Sequence, residues 1–170
     1  LKKLKLLIVT QYFWPENFKI NDFADHFSHK DGFDVDVITA IPNYPSGKFY
    51  KGYGLFRKTF EVYNKISIYR VPVIPRGNAN KFLLSLNYIS YVLFATIKIF
   101  FLKKKYDRIF IYEPSPITVA LPAIFYKKIK KIPIVFWVTD LWPESVVSAG
   151  NLNSNLIPNI LNPIVKFIYN

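Results

Sequence analysis

The chain has no cysteine and no methionine, only two histidines and six glycines in 170 residues, and 11 acidic residues against 23 basic ones. Without cysteine there is no disulfide framework, no thiolate nucleophile and no cysteine-based metal site, a composition that fits a reducing compartment. His26 and His29 share one helical segment with no matching ligands nearby, so they read as surface residues rather than as a zinc motif. No glycine follows the first predicted strand, where Gln11 to Asn17 reads QYFWPEN. A dinucleotide fingerprint needs glycines there for a tight turn and close backbone approach to pyrophosphate, so that site is excluded; no Walker loop occurs either. Asp34-Val35-Asp36 has the spacing of a metal-holding Asp-x-Asp cluster, but it opens a strand, away from the end where α/β sheets bind ligands. No metal is implied. Position 1 is Leu rather than Met, and the stretch after Asn151 is apolar and helix-like, with no closing strand. From these two features we expect one domain of a longer protein, its last stretch forming a linker or crossover helix.

Apolar residues make up 51% of the chain and aromatics 18%, enough for one well-buried domain and unlike a disordered chain. The net charge of +12 implies an anionic partner: nucleic acid, a membrane surface or a phosphorylated substrate. Charge by itself does not choose among them.

Strand and helix patterns alternate. Leu4 to Thr10 and Ile132 to Thr139 are apolar and rich in β-branched and aromatic residues, as strands covered on both faces of a parallel sheet should be. Between them the pattern predicts a helix from Lys19 to Lys30, a strand from Asp34 to Thr39 and a loop from Ala40 to Gly54. Strands from Phe60 to Tyr63 and from Ile66 to Ile74 follow around a turn at Asn64-Lys65, and Pro72 suggests that the second lies at a sheet edge. Next come a long helix from Lys81 to Lys105, a strand from Arg108 to Tyr112 and a helix from Ser115 to Lys128. Strands joined by helices mean crossover connections, so the class is α/β with a Rossmann-like, mainly parallel sheet.

Ligands of open α/β sheets bind outside the carboxyl ends of the strands. Both apolar runs end there in the same tripeptide, Trp14-Pro15-Glu16 and Trp142-Pro143-Glu144. Proline at a first helical position and glutamate in a first turn would write the same letters at two helix starts. That reading suits Glu144 and explains the tryptophans less well. After the second strand, Asn43, Tyr44 and Lys48 offer an amide, a phenol and a cation, a mixture suited to sugar and phosphate, against ordinary turn chemistry from Pro and Gly. Asp140 stands directly beyond the last strand, where it also suits a helix N-cap. Glu113 follows the strand before, ahead of Pro114, where a helix-start charge is the plain alternative.

From Phe82 to Leu102 the only charged residue is Lys98, and Lys103-Lys104-Lys105 follows at once. The length would span a bilayer, but strands precede and follow the segment in one alternation that a span would split. A core helix accounts for one face. Its aromatic excess, including Phe82, Phe100 and Phe101, beside Lys103, Lys104 and Lys105 favours a helix that also rests on an anionic membrane surface.

Three segments in order, QYFWPENFKINDFADHF (Gln11 to Phe27), VITAIPNYPSGKFYKGY (Val37 to Tyr53) and VFWVTDLWPES (Val135 to Ser145), with a looser fourth, IFIYEPSPIT (Ile109 to Thr118), carry a family likeness. Together they resemble the amino-terminal domain of retaining glycosyltransferases of the GT-B fold, family 4. The likeness is closest to the bacterial branch that builds capsule and O-antigen polysaccharides, including N-acetylfucosamine transferases. It implies an acceptor-binding domain over 1–170, catalysis in a cleft against a carboxyl-terminal donor domain, and no activity for this part alone. No cofactor is implied; the nucleotide sugar is a co-substrate held mainly by the other domain.

The implied acceptor is an undecaprenyl-diphosphate-linked saccharide, whose diphosphate suits the basic charge and whose tail suits a membrane face. The location that follows is cytoplasmic, peripheral at the inner face of the plasma membrane. Retaining transfer in such enzymes is described as front-face displacement, in which the departing phosphate oxygen helps to deprotonate the acceptor hydroxyl. The protein then positions both substrates and stabilises charge. On that basis Asp140 and Glu113 are the catalytic candidates. Tyr12, Trp14, Glu16, Asn17, Lys19, Asn43, Tyr44, Lys48, Arg76 and Glu144 are the acceptor-binding ones. Arg70 shares Arg76's place at a strand end, although solvated surface is the ordinary fate of an arginine; either tryptophan can stack on a sugar or be buried.

The chain departs from the family where a Gly-Gly loop after the first strand is replaced by Glu16 to Asn21, and where several relatives have a His near Asp140. A non-catalytic membrane- or polysaccharide-binding module with this fold is the alternative reading. A nucleic-acid-binding domain, suggested by charge alone, lacks any RNA or DNA motif.

Overall fold

The computed structural model describes residues 2–78, 80–145 and 156–169. Among them six strands form one sheet: β1 (Leu4–Val9), β2 (Phe33–Ala40), β3 (Phe60–Tyr63), β4 (Ile66–Val71), β5 (Arg108–Glu113) and β6 (Ile134–Val138). Their order is β3-β4-β2-β1-β5-β6. Every neighbouring pair is parallel except the β3–β4 hairpin. Without that hairpin's outer strand, the order is that of a doubly wound, Rossmann-like sheet, with the chain reversing direction between β1 and β5.

Alternation of side chains across the pleat sends apolar residues to both faces, so each face needs its own cover. Leu6, Ile8, Val35, Val37, Ile66 and Ile68 pack with Ile20 and Ala24 of helix α1 (Lys19–His29). On the other face Leu7, Val9, Ile38, Val71, Ile109 and Ile111 pack under α2 (Lys81–Phe100), α3 (Leu121–Lys130) and α4 (Leu156–Tyr169). The predicted α/β class with a mainly parallel sheet is thus what the chain forms.

Four local expectations are corrected. β4 is interior, flanked by β2 and β3, because Pro72 comes just past its last pair, Ala40 with Val71, and removes no ladder hydrogen bond. β6 lies at a sheet edge, opposite β3, and Val135 is 54% exposed, so this run is less covered than its apolar letters imply. α2 stops at Phe100 because the following lysines leave the helix: Lys104 reaches Asp34 and Asp36 at 2.8 Å each, and the Tyr106 hydroxyl donates to Asp36 at 2.6 Å. The helix expected from Ser115 begins only with a 3-10 turn at Ile117–Ala120 before α3. A residue that precedes proline is pushed out of the helical region, and Ser115 precedes Pro116.

The Asp-x-Asp pair lies at the amino end of β2, as expected, and there it holds Lys104 and Tyr106. His26 and His29 are exposed. α2 has the length and apolar composition to cross a membrane, yet it packs along the sheet and against α3. Its first turn is capped by Asn80, whose side chain accepts the Leu83 N–H at 2.8 Å. Segment 146–155, the start of the stretch expected to link to a further domain, lies outside the described residues.

Candidate functional site

The segment after β1 turns under the end of β2, and a carboxylate ties the two together. Glu16 is buried, and its Oε1 accepts the backbone N–H groups of Asn43 at 2.8 Å and Tyr44 at 2.7 Å. Burial pushes the Glu16 carboxyl up to about 7, outweighing those backbone hydrogen bonds, which lower it. Asn43 is buried too, and its Oδ1 accepts the Arg76 backbone N–H at 3.3 Å and the Asn87 Nδ2 at 3.4 Å. Asn87, in the apolar α2, also accepts from Gln11 Nε2 at 2.7 Å and donates to the Ile74 carbonyl at 2.6 Å. One buried amide on α2 thus joins the segments that follow β1, β2 and β4, because a polar group out of water must find partners.

An aromatic and cationic cluster, with Tyr12 buried and Tyr44 exposed, packs against this network. Tyr12 stacks on Phe18 with centroids 5.0 Å apart, and Tyr44 approaches Tyr12 at 5.5 Å. Arg76 sits 4.9 Å over the Tyr44 ring and donates from Nη1 to the Tyr12 hydroxyl at 3.2 Å. Its Nε is buried without an acceptor among the described residues. Burial, then the neighbouring Tyr88 hydroxyl, raises the Tyr12 phenol above its ordinary range. Gly47 anchors the far side: its carbonyl accepts the Gly77 N–H at 3.0 Å, and only a residue without a Cβ fits against the Gly77 backbone there.

The second pair of candidates lies at the ends of β5 and β6. Glu113 is fully buried, and its Oε2 accepts the backbone N–H groups of Thr139 and Asp140 at 3.3 Å each. Burial again pushes the carboxyl up to about 7, and the charge of Asp140 works in the same direction. Asp140 is half-exposed. Burial raises the Tyr88 and Tyr112 phenols, and the nearby Asp140 carboxylate adds to both shifts. Tyr88 is therefore influenced by Arg76, Tyr12 and Asp140 alike. This is the β1/β5 region where the strand order reverses and doubly wound sheets hold ligands.

The structure gathers Tyr12, Glu16, Asn43, Tyr44 and Arg76 into the first group, and Glu113 and Asp140 into the second. Within them, Glu16, Asn43 and Glu113 are buried and hold backbone, while Arg76, Tyr44 and Asp140 retain exposed or uncommitted groups. Trp14 goes elsewhere: it stacks on Tyr63 at 4.2 Å, and its carbonyl accepts from Arg70. Arg70 is not solvated surface but one of the largest fully buried side chains, paired with Glu61 and bonded to the Ala40 carbonyl. α1 starts at Lys19, so the first Trp-Pro-Glu does not put its proline at a first helical position. Asn17, Lys19, Lys48 and Glu144 are exposed. So are Phe82, Phe100, Phe101, Lys103 and Lys105, while Lys104 is engaged by Asp34 and Asp36.

Sequence reasoning passed over Gln11, Phe18, Asn87 and Tyr88. The available signal was Asn87 itself, an amide inside an otherwise apolar helical run. Among the described residues no three His, Asp or Glu side chains come together as a metal site. No family model and no curated protein matches the chain.

Proposed function

We propose that this chain is the acceptor-binding, amino-terminal half of a retaining GT-B glycosyltransferase. The reaction would move a sugar from a nucleotide sugar to an undecaprenyl-diphosphate-linked saccharide, in capsule or O-antigen assembly at the cytoplasmic face of the plasma membrane. The observation that carries this reading is that Arg76 and Asp140 both lie just beyond the carboxyl ends of strands, Arg76 bonded to Tyr12 and Asp140 held by Glu113. A cation with an N–H uncommitted among the described residues and a half-exposed carboxylate are what an acceptor with a phosphate and a nucleophilic hydroxyl requires. In this reading Asp140 receives the hydrogen bond of the attacking hydroxyl and Arg76 takes phosphate charge. Tyr44, which is exposed, faces the sugar, and the buried Tyr12 backs it. Glu113 is a positioning residue that sets the Asp140 backbone and does not reach the ligand.

The half-exposed apolar side of α2 and the exposed Lys103 and Lys105 support a membrane-facing surface. The test is transfer of labelled sugar from a panel of nucleotide sugars to undecaprenyl-diphosphate-linked acceptors by the intact protein, beside Asp140→Asn. Transfer that the variant loses, with acceptor and membrane binding retained, is the expected result. One observation favours the non-catalytic binding module: Glu16 and Glu113 are both committed to loop geometry. No transfer with any donor, despite membrane binding, would select that reading.

A further inference from the structure

A groove of about 620 Å³ runs along α2, with Leu121 and Phe125 of α3, Trp142 and Leu161 of α4 among its other lining residues. Its size falls within the range of about 300–1,000 Å³ typical of small-molecule sites. Val92, Leu93, Ile97, Leu121 and Phe125 make its lining almost wholly apolar. Ile89, Leu93 and Ile97, at helical spacing along its open side, remain 64%, 55% and 46% exposed. Large apolar side chains left open in one stripe mark a surface that something covers.

The end of the groove identifies the occupant. Tyr88 lines it and follows Asn87, whose side chain shares the Asn43 Oδ1 with the Arg76 backbone N–H, so this end of the groove lies near a guanidinium whose buried Nε has no acceptor among the described residues. An apolar peptide segment of this chain would satisfy the stripe and leave that cation unanswered. A flat bilayer surface would satisfy the stripe without needing a concave site. A single hydrocarbon chain with an anionic head answers both features.

We propose that the groove holds the first isoprene units of a polyprenyl diphosphate, with the diphosphate at Arg76 and the chain running past Tyr88 along Ile89, Leu93 and Ile97. The inference rests on the acceptor reading above and deepens it. The lipid is drawn partly out of the bilayer and bound by the domain, which fixes the distance between membrane and transfer site.

Calorimetric titration of the intact protein with farnesyl diphosphate and with inorganic diphosphate tests this. The isoprenoid should bind at least about tenfold more tightly, from apolar surface removed from water. Ile89→Glu and Leu93→Glu, at exposed positions, should each abolish that advantage while leaving inorganic diphosphate binding and the unfolding midpoint unchanged. Equal affinity for the two ligands, or no binding of farnesyl diphosphate because the chain covers its own groove, would overturn the proposal. Variants that lose anionic-vesicle binding yet keep farnesyl diphosphate would overturn it as well, and would assign the stripe to the bilayer surface. The titration needs neither donor nor turnover, so isoprenoid binding without sugar transfer would reject the enzyme reading alone. Equal transfer to a tail-less acceptor would reject the groove alone.

Discussion

Glu16 receives the Asn43 backbone N–H at 2.8 Å through a carboxyl that the fold has taken out of water. The group that fixes the loop after β2 is therefore also one whose proton affinity has been raised, from an ordinary 4.5 to about 7. A raised value means that the folded chain favours the neutral acid. Its contribution to stability is complete below the unfolded value and is lost as pH rises through about 7.

Stability should accordingly fall between about pH 5 and pH 8. Glu16→Gln keeps an oxygen at the Oε1 position for Asn43 and Tyr44, and should remove Glu16's share of that fall, at most on the order of 3 kcal/mol. Glu113, shifted the same way, would retain its own share. Urea unfolding of both proteins at the two pH values measures the difference. An identical pH response in the variant would mean that Glu16 is already ionised in the folded chain at the lower pH.

Arg70 should be the most costly of the strand-end cations to replace. Arg70→Met strands the Glu61 carboxylate and leaves the Trp14 and Ala40 carbonyls without a donor, a loss of about 3–5 kcal/mol for a broken buried pair. Arg70→Lys should recover little, because one ammonium cannot reproduce the guanidinium fork. Urea midpoints of these variants and of Arg70→Met/Glu61→Leu decide the matter; the double variant should be more stable than Arg70→Met alone.

Gly47 and Gly77 both have positive φ, yet they should respond differently to alanine. A Cβ on Gly47 would lie 1.7 Å from the Gly77 carbonyl oxygen, whereas one on Gly77 meets the end of the Leu83 side chain at 2.8 Å. Backbone cannot step aside as a leucine methyl can. Gly47→Ala should therefore cost roughly 2 kcal/mol or more and Gly77→Ala closer to 1 kcal/mol, mostly left-handed strain. Thermal unfolding compares the two directly, and equal losses would refute the close approach.

The sheet was legible because β1 carries the apolar letters of a doubly covered strand, and because short β-rich runs at β2 and β5 alternate with helical patterns. The candidate site was proposed from position alone: residues beyond strand ends lie where sheets of this class bind ligands. What sequence could not state was which loops meet. Nothing adjacent to Glu16 names Asn43, 27 residues away, as its partner, and an arginine's letters carry no sign of burial, so Arg70 read as surface. Asn87 joins three loops through contacts that span 13, 44 and 76 residues. Such polar networks follow from topology, which local periodicity does not encode.

The lysines after α2 separate a folding role from a membrane role. Lys104 bridges Asp34 and the buried Asp36, so Lys104→Gln leaves Asp36 with the Tyr106 hydroxyl and Lys104's ammonium gone, and should destabilise the fold by about 2 kcal/mol. Lys103 and Lys105 are exposed and form no ion pair among the described residues. If α2 rests on an anionic membrane, Lys103→Gln/Lys105→Gln should leave the urea midpoint unchanged and lose about 1 kcal/mol of surface attraction per lysine. That corresponds to roughly 30-fold weaker binding to vesicles rich in acidic lipid at low salt, and added salt should shrink the difference by screening it. Sedimentation with acidic and neutral vesicles reads the effect. Undiminished binding by the double variant would remove the lysines from the membrane surface and leave Phe82 and Phe101, 72% and 77% exposed, to account for any binding that persists.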